Sequence, residues 1–206
     1  MKLQLAFAIG LLALTACQPA SPPSGAEANA SLGEAAADGA VAGCTVSVET
    51  PWIDTETPMR RYMAEAHVLG PSCEQGVALL VIRQREGTPI YTWSGLADFI
   101  FGLADANDPQ AMKAALADWI SQGDQVDTTA SLPAWEETEG QPRRAEFPFM
   151  PESWFDKAAW EALKAENAEM FCFPQGMESS RCAVLRPGDG TVPTQMEEIG
   201  LQLFPG

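Results

Sequence analysis

"GVALLVIRQREGTPIYTWSG", residues 76–95, decides the fold class. Residues 77–82 form an unbroken apolar run of strand length, the pattern of a strand covered on both faces. Glu86-Gly87 supplies a turn, and Pro89 opens the return segment, one of the few places where a strand tolerates proline. Ile90-Tyr91-Thr92-Trp93 then consists of residues that pack well on a pleated surface. A β-hairpin follows from this stretch alone.

Working outward, Cys44-Thr45-Val46-Ser47-Val48-Glu49 alternates as a half-buried strand does. In "TPMRRYMAEAHVLGP", residues 57–71, Thr57 can cap and Pro58 suits a first helical turn. Met59, Tyr62, Met63 and Ala66 recur at helical spacing, and Gly70-Pro71 stops them, so a helix is expected here. Downstream, Ser94 can cap a helix carrying Leu96, Phe99, Ile100 and Leu103. Asp108-Pro109 opens another, with Met112, Leu116, Trp119 and Ile120 on one face and Gly123 at its end. A further helix is expected over residues 153–167. Trp154, Phe155, Ala158, Ala162 and Leu163 share its face, and Trp160 lies off it as an exposed contact residue or one packed on a loop or lysine. Residues 170–173 and 181–185 read as short strands. The polar stretch 122–150 between helices is an excursion in which Arg143 and Arg144 can pair with Glu136, Glu137 and Glu139. The expected class is α+β: a small antiparallel or mixed sheet with three to four helices on one side.

The first residues carry a different message. Lys2 is followed by an apolar run over residues 3–14, broken only by Gln4 and Gly10. A bilayer core needs about 20 residues of helix, so a cleaved export signal fits better than a permanent span. Leu14-Thr15-Ala16-Cys17 resembles the lipobox of bacterial lipoproteins. That resemblance implies removal of residues 1–16, transfer of a diacylglycerol to the Cys17 thiol, and acylation of the new amino group. A thiolate is the nucleophile that such lipid transfer needs, and more than one acyl chain gives stable anchoring. Gln18 in the next position, by the same resemblance, implies an outer-membrane lipoprotein facing the periplasm rather than retention at the inner membrane.

Residues 17–43 then form an Ala/Pro/Ser/Gly-rich tether with Leu32 and Val41 as its only large aliphatic residues. It buries too little apolar surface to offset its ordering entropy. Residues 44–206 are expected to form a single domain. With Cys17 lipidated, Cys44, Cys73, Cys172 and Cys182 remain, an even number in an exported chain, and two disulfides are expected. Three pairings are open. Cys44–Cys73 with Cys172–Cys182 is favoured because each pair flanks a local unit. A zinc site is disfavoured by the lack of any C-x-x-C pair and by the presence of one histidine, His67.

Charge narrows the partners. Removing residues 1–16 takes away Lys2 and leaves 11 basic against 28 acidic side chains, a net of −17. Nucleic acid and anionic lipid both demand clustered cations. The acidic balance keeps the domain soluble, which alone accounts for it; as a partner, a cationic envelope protein fits this surface, and the lipid anchor supplies the membrane contact.

Gly188-Asp189-Gly190-Thr191-Val192-Pro193 resembles the segment bearing the triad aspartate in lecithin-acyltransferase-like lipases. Such enzymes require a G-x-S-x-G elbow upstream and a histidine downstream of the aspartate. This chain has no G-x-S-x-G, and its histidine lies upstream, so Asp189-Gly190 reads as a tight turn. Asp105, Asn107 and Asp108 lack the glycine and closing glutamate of an EF-hand loop, and capping by Asp108 accounts for them. No metal, cofactor or phosphate-binding loop is expected. The functional expectation is a non-enzymatic binding, inhibitor or adaptor module. The alternative is an envelope hydrolase using carboxylates around Asp189.

Overall fold

The hairpin at residues 76–95 is the centre of a four-stranded antiparallel sheet. The computed structural model describes residues 43–54, 61–121, 127–186 and 195–204. The segment expected to be a signal, Cys17, the expected tether up to residue 42, Thr57 to Met59 and Asp189 lie outside these residues. Strands β1 (Cys44–Asp54), β2 (Arg61–Gly70), β3 (Val77–Gln84) and β4 (Pro89–Leu96) pair in chain order as a meander. The inner face carries Val46 and Trp52, Tyr62 and Ala66, and Leu80 and Ile82, all buried. The outer face is less covered than an unbroken apolar run predicts: Val81 is buried, but Val77 is 42% exposed.

The segment expected to be a helix at 57–69 is strand β2 wherever it is described. Tyr62, Ala64, Ala66 and Val68 are buried, while Met63, Glu65 and His67 are only partly so, a period of two that coexists with the helical spacing. Pairing on both sides, with β1 and with β3, overrides the helix preference of Ala, Met and Glu. The helix expected from Ser94 is also absent. Ser94 and Leu96 finish β4, a single 3₁₀ turn spans Ala97–Phe99, and Leu96 and Phe99 are exposed while Ile100 and Leu103 are buried.

Two α-helices are therefore present among the described residues, not three or four. Helix α1 (Pro109–Ser121) begins where expected, with Asp108 Oδ1 accepting from the backbone N–H of Gln110 (2.8 Å) and Ala111 (2.9 Å). Helix α2 (Lys157–Glu166) begins later than expected because Asp156, not Ser153, is its cap and accepts from the Ala159 N–H. The face it buries also differs from the expected one, because the second sheet's core sets it. Trp160 and Leu163 become its buried residues, Ala158 and Ala162 are exposed, and Trp154 precedes the helix and is 58% exposed. Trp160 is thus core, its indole N–H donating to Pro133 O at 2.9 Å.

The polar excursion is ordered into strands where it is described. A second antiparallel sheet runs β5 (Asp127–Thr128), β9 (Glu169–Pro174), β10 (Ser179–Val184), β11 (Glu197–Leu203), β8 (Phe147–Pro151), β7 (Gln141–Arg144) and β6 (Trp135–Glu136). Arg143 pairs with Glu139 at 2.8 Å, and Glu137 with Lys157. Alternation gives this sheet a core on each face. Phe171, Phe173 and Ala183 meet the inner face of the first sheet together with Met112, Leu116 and Trp119 of α1. Met170, Val184 and Ile199 meet Trp160 and Leu163 of α2. Phe173 touches Tyr91, Trp93 and Trp119, with ring centroids 5.3–6.2 Å apart.

Both disulfides join local partners. Cys44 is bonded to Cys73, tying the start of β1 to the loop after β2. Cys172 is bonded to Cys182, directly opposite it in the β9–β10 register.

Candidate functional site

The two sheets meet along the start of β4 and the start of β11, where the Met196 N–H donates to Ile90 O at 3.1 Å. Beside this bond opens a cleft of about 960 Å³, at the upper end of the size range of small-ligand sites. Tyr91, Trp154, Arg186, Gln195, Glu197 and Glu198 give it its chemistry.

A β-bulge aims one of these groups. Cys182 pairs with Gly200 but Ala183 pairs with Glu198, so Ile199 is an extra residue in β11. The bulge leaves Ile199 in the core beside α2 and turns Glu198 toward the first sheet. Gly200 makes the bulge possible, because its φ of +138° is a conformation that side chains oppose. A Cβ there would also meet Met150 O and come within 2.8 Å of Phe149 and Pro151.

Tyr91 donates to Glu198 Oε1 at 2.8 Å, and Arg181 pairs with Glu198 Oε2. Glu152 lies 3.8 Å from the same guanidinium. On the other side of the strand, Arg186 Nε is 3.0 Å from Glu197 and 3.7 Å from Glu166. Burial pushes the Tyr91 phenol far above its ordinary range. Its hydrogen bond to Glu198 and the charge of that carboxylate add to this, and Arg181 opposes it. Tyr91 therefore stays protonated and acts as a donor. Each cleft glutamate faces an arginine, and no imidazole, thiol or lysine is among the described residues that line it.

His67 stands elsewhere, on the outer face of the first sheet. Its Nε2 is 3.5 Å from Glu65 Oε2, and Ser47 is its register partner on β1. The three residue types are those of a hydrolytic triad, but the arrangement is not one. No hydrogen bond joins Ser47 to His67, and Arg83 Nε lies 2.8 Å from both oxygens of Glu65. The N–H groups of a sheet lie in its plane, so none points at this face to stabilise an oxyanion. Arg186 and Gln195, which bracket the segment containing Asp189, both line the cleft, and Asp189 itself lies outside the described residues. No three His, Cys, Asp or Glu side chains converge to hold a metal among the described residues.

The sequence reading placed Tyr91 only as a strand residue and left Glu197, Glu198 and Arg186 unremarked. Tyr91 and Glu198 are 107 residues apart, and no spacing rule links them. The adjacent pair Glu197-Glu198 before a buried Ile199 was the one local sign. Comparison with known proteins adds no relative: no family model, curated protein or solved structure matches this chain.

Proposed function

We propose that this chain is a lipid-anchored protein of the bacterial cell envelope, acylated at Cys17 and tethered at the outer membrane facing the periplasm, and that it works by binding rather than by catalysis. The cleft carries the binding half of this reading. Its carboxylates each face an arginine and its phenol stays protonated, so the described lining is equipped to hold hydrogen bonds, and its one aliphatic hydroxyl, Thr92, has no imidazole, thiol or lysine beside it among the described lining residues. Two disulfides are in keeping with an oxidising compartment, and Leu14-Thr15-Ala16-Cys17 supports the anchor. The net charge of −17 favours a cationic envelope protein as the macromolecular partner, in an inhibitor or adaptor role.

Metabolic lipid labelling with membrane fractionation tests the anchor. Wild type is expected to carry label in the outer-membrane fraction, and Cys17→Ser to lose the label and stay uncleaved or soluble. A labelled, membrane-bound Cys17→Ser product would refute the assignment. Capture from envelope extract, run beside a hydrolase substrate screen, tests the mode of action. A basic partner retained by His67→Ala and Asp189→Ala is the expected outcome. Turnover lost in the Asp189→Ala variant would establish the hydrolase alternative instead.

A further inference from the structure

We infer that the cleft between β4 and β11 is a site for a neutral saccharide, with one sugar ring stacked on Trp154. This rests on the binding reading above and adds to it the class of small ligand.

Trp154 supplies the platform. Its indole is 58% exposed at the cleft, although a large aromatic side chain ordinarily gains by leaving water. Its neighbour Phe155 lies 6.1 Å away at 39° between ring planes, and Phe155 packs edge-on against the fully buried Trp160. An exposed flat apolar surface beside polar groups matches a pyranose, whose C–H face is apolar and whose rim is polar.

Among the described lining residues, the polar groups select against charge. Glu198 is answered by Arg181 and Glu197 by Arg186. An anionic ligand meets two carboxylates, and a cationic one meets Arg186. Either must compete with an existing ion pair to gain from the opposite charge. A hydroxyl escapes this conflict, because it both donates and accepts. It can accept from the guanidinium or the Gln195 amide and donate to an unused lone pair of a paired carboxylate. A wholly apolar ligand fits poorly, since these side chains would lose water without replacement. Many hydroxyls and no net charge define a neutral sugar, and about 960 Å³ admits more than one ring.

The test uses the full mature lipoprotein in nanodiscs and titrates it calorimetrically with three neutral tetrasaccharides: the β-1,4-linked N-acetylglucosamine tetramer, cellotetraose and maltotetraose. Inorganic phosphate and tetralysine serve as charged probes. At least one neutral probe is expected to bind in the millimolar range or tighter and to change tryptophan fluorescence. Trp154→Ala should weaken that binding about tenfold or more. Phe99→Ala, an exposed aromatic beyond the far end of β4, should leave it unchanged. Failure of all three sugars to bind, or equal binding by Trp154→Ala, overturns the inference. Tetralysine binding that depends on Trp154, without sugar binding, overturns it while leaving the binding module standing. Cleavage of a bound tetrasaccharide supports the saccharide site and overturns the non-enzymatic reading.

Discussion

Tyr91 on β4 donates its hydroxyl hydrogen to Glu198 on β11 across the junction of the two sheets, at 2.8 Å. The bond joins residues that neither strand's own pattern marks, and burial makes it matter. A buried phenol with a charged acceptor contributes more than an exposed one, and Arg181 on the same carboxylate completes the network. Tyr91→Phe is expected to lower stability by about 1.5–3 kcal/mol, read as a shift of the urea midpoint with an unchanged slope. An unchanged midpoint would show the bond to be incidental.

The same phenol sets an alkaline limit. Its folded-state pKa is raised above the unfolded value of about 10. Below that pH the phenol is neutral in both states and its contribution is fully present. Above it the unfolded chain loses the proton while the folded chain retains it, so stability falls as pH rises. Denaturation measured from pH 8 to 11 should show this decline, and Tyr91→Phe should flatten it. A decline of equal steepness in the variant would assign the effect to other groups.

Gly200 and Gly87 both have positive φ, but only one is enclosed. Gly87→Ala meets nothing within 4 Å, so its cost is conformational, about 1 kcal/mol. Gly200→Ala drives a Cβ into the β8 backbone and is expected to cost about 3 kcal/mol or more. Thermal melts of the two variants side by side provide the check, and comparable losses would contradict the role given to the bulge.

Trp160 and Trp154 make an opposite pair. Trp160→Ala empties a fully buried site and should cost about 3–5 kcal/mol. Trp154→Ala should stay within about 0.5 kcal/mol, because its indole is largely in water. Equal destabilisation would mean that Trp154 is structural and would remove the platform from the cleft.

The disulfides are expected to rank by the loop each closes. Sequence separations of 29 for Cys44–Cys73 and 10 for Cys172–Cys182 correspond to about 3.6 and about 2.7 kcal/mol of chain entropy. Replacing each pair with alanines and comparing denaturation midpoints gives the order. A larger loss for Cys172→Ala with Cys182→Ala would show that strain or packing, not loop closure, governs these bonds.

Read alone, the sequence determined what depends on neighbours along the chain. Residues 77–82 and 90–93 are strands because both segments combine β-forming side chains with a turn between them, and α1 begins at Pro109 because Asp108 caps it. Each cysteine pairs with a partner 29 or 10 residues away, across one local unit. Tertiary structure decided what depends on distant neighbours. Arg61–Gly70 satisfies a helical and a strand period at once, and only pairing with β1 and β3 chooses between them. Trp160 rather than Trp154 is buried because α2 lays its Trp160–Leu163 face on Phe149, Met170, Val184 and Ile199 of the second sheet, while Trp154 precedes the helix. The cleft came last in this order. Its Tyr91, Trp154, Arg186 and Glu198 come from different strands and loops, and the bulge at Ile199 orients the glutamate. A period-two pattern places side chains on one face or the other. It carries no information about which strand of another sheet that face will meet.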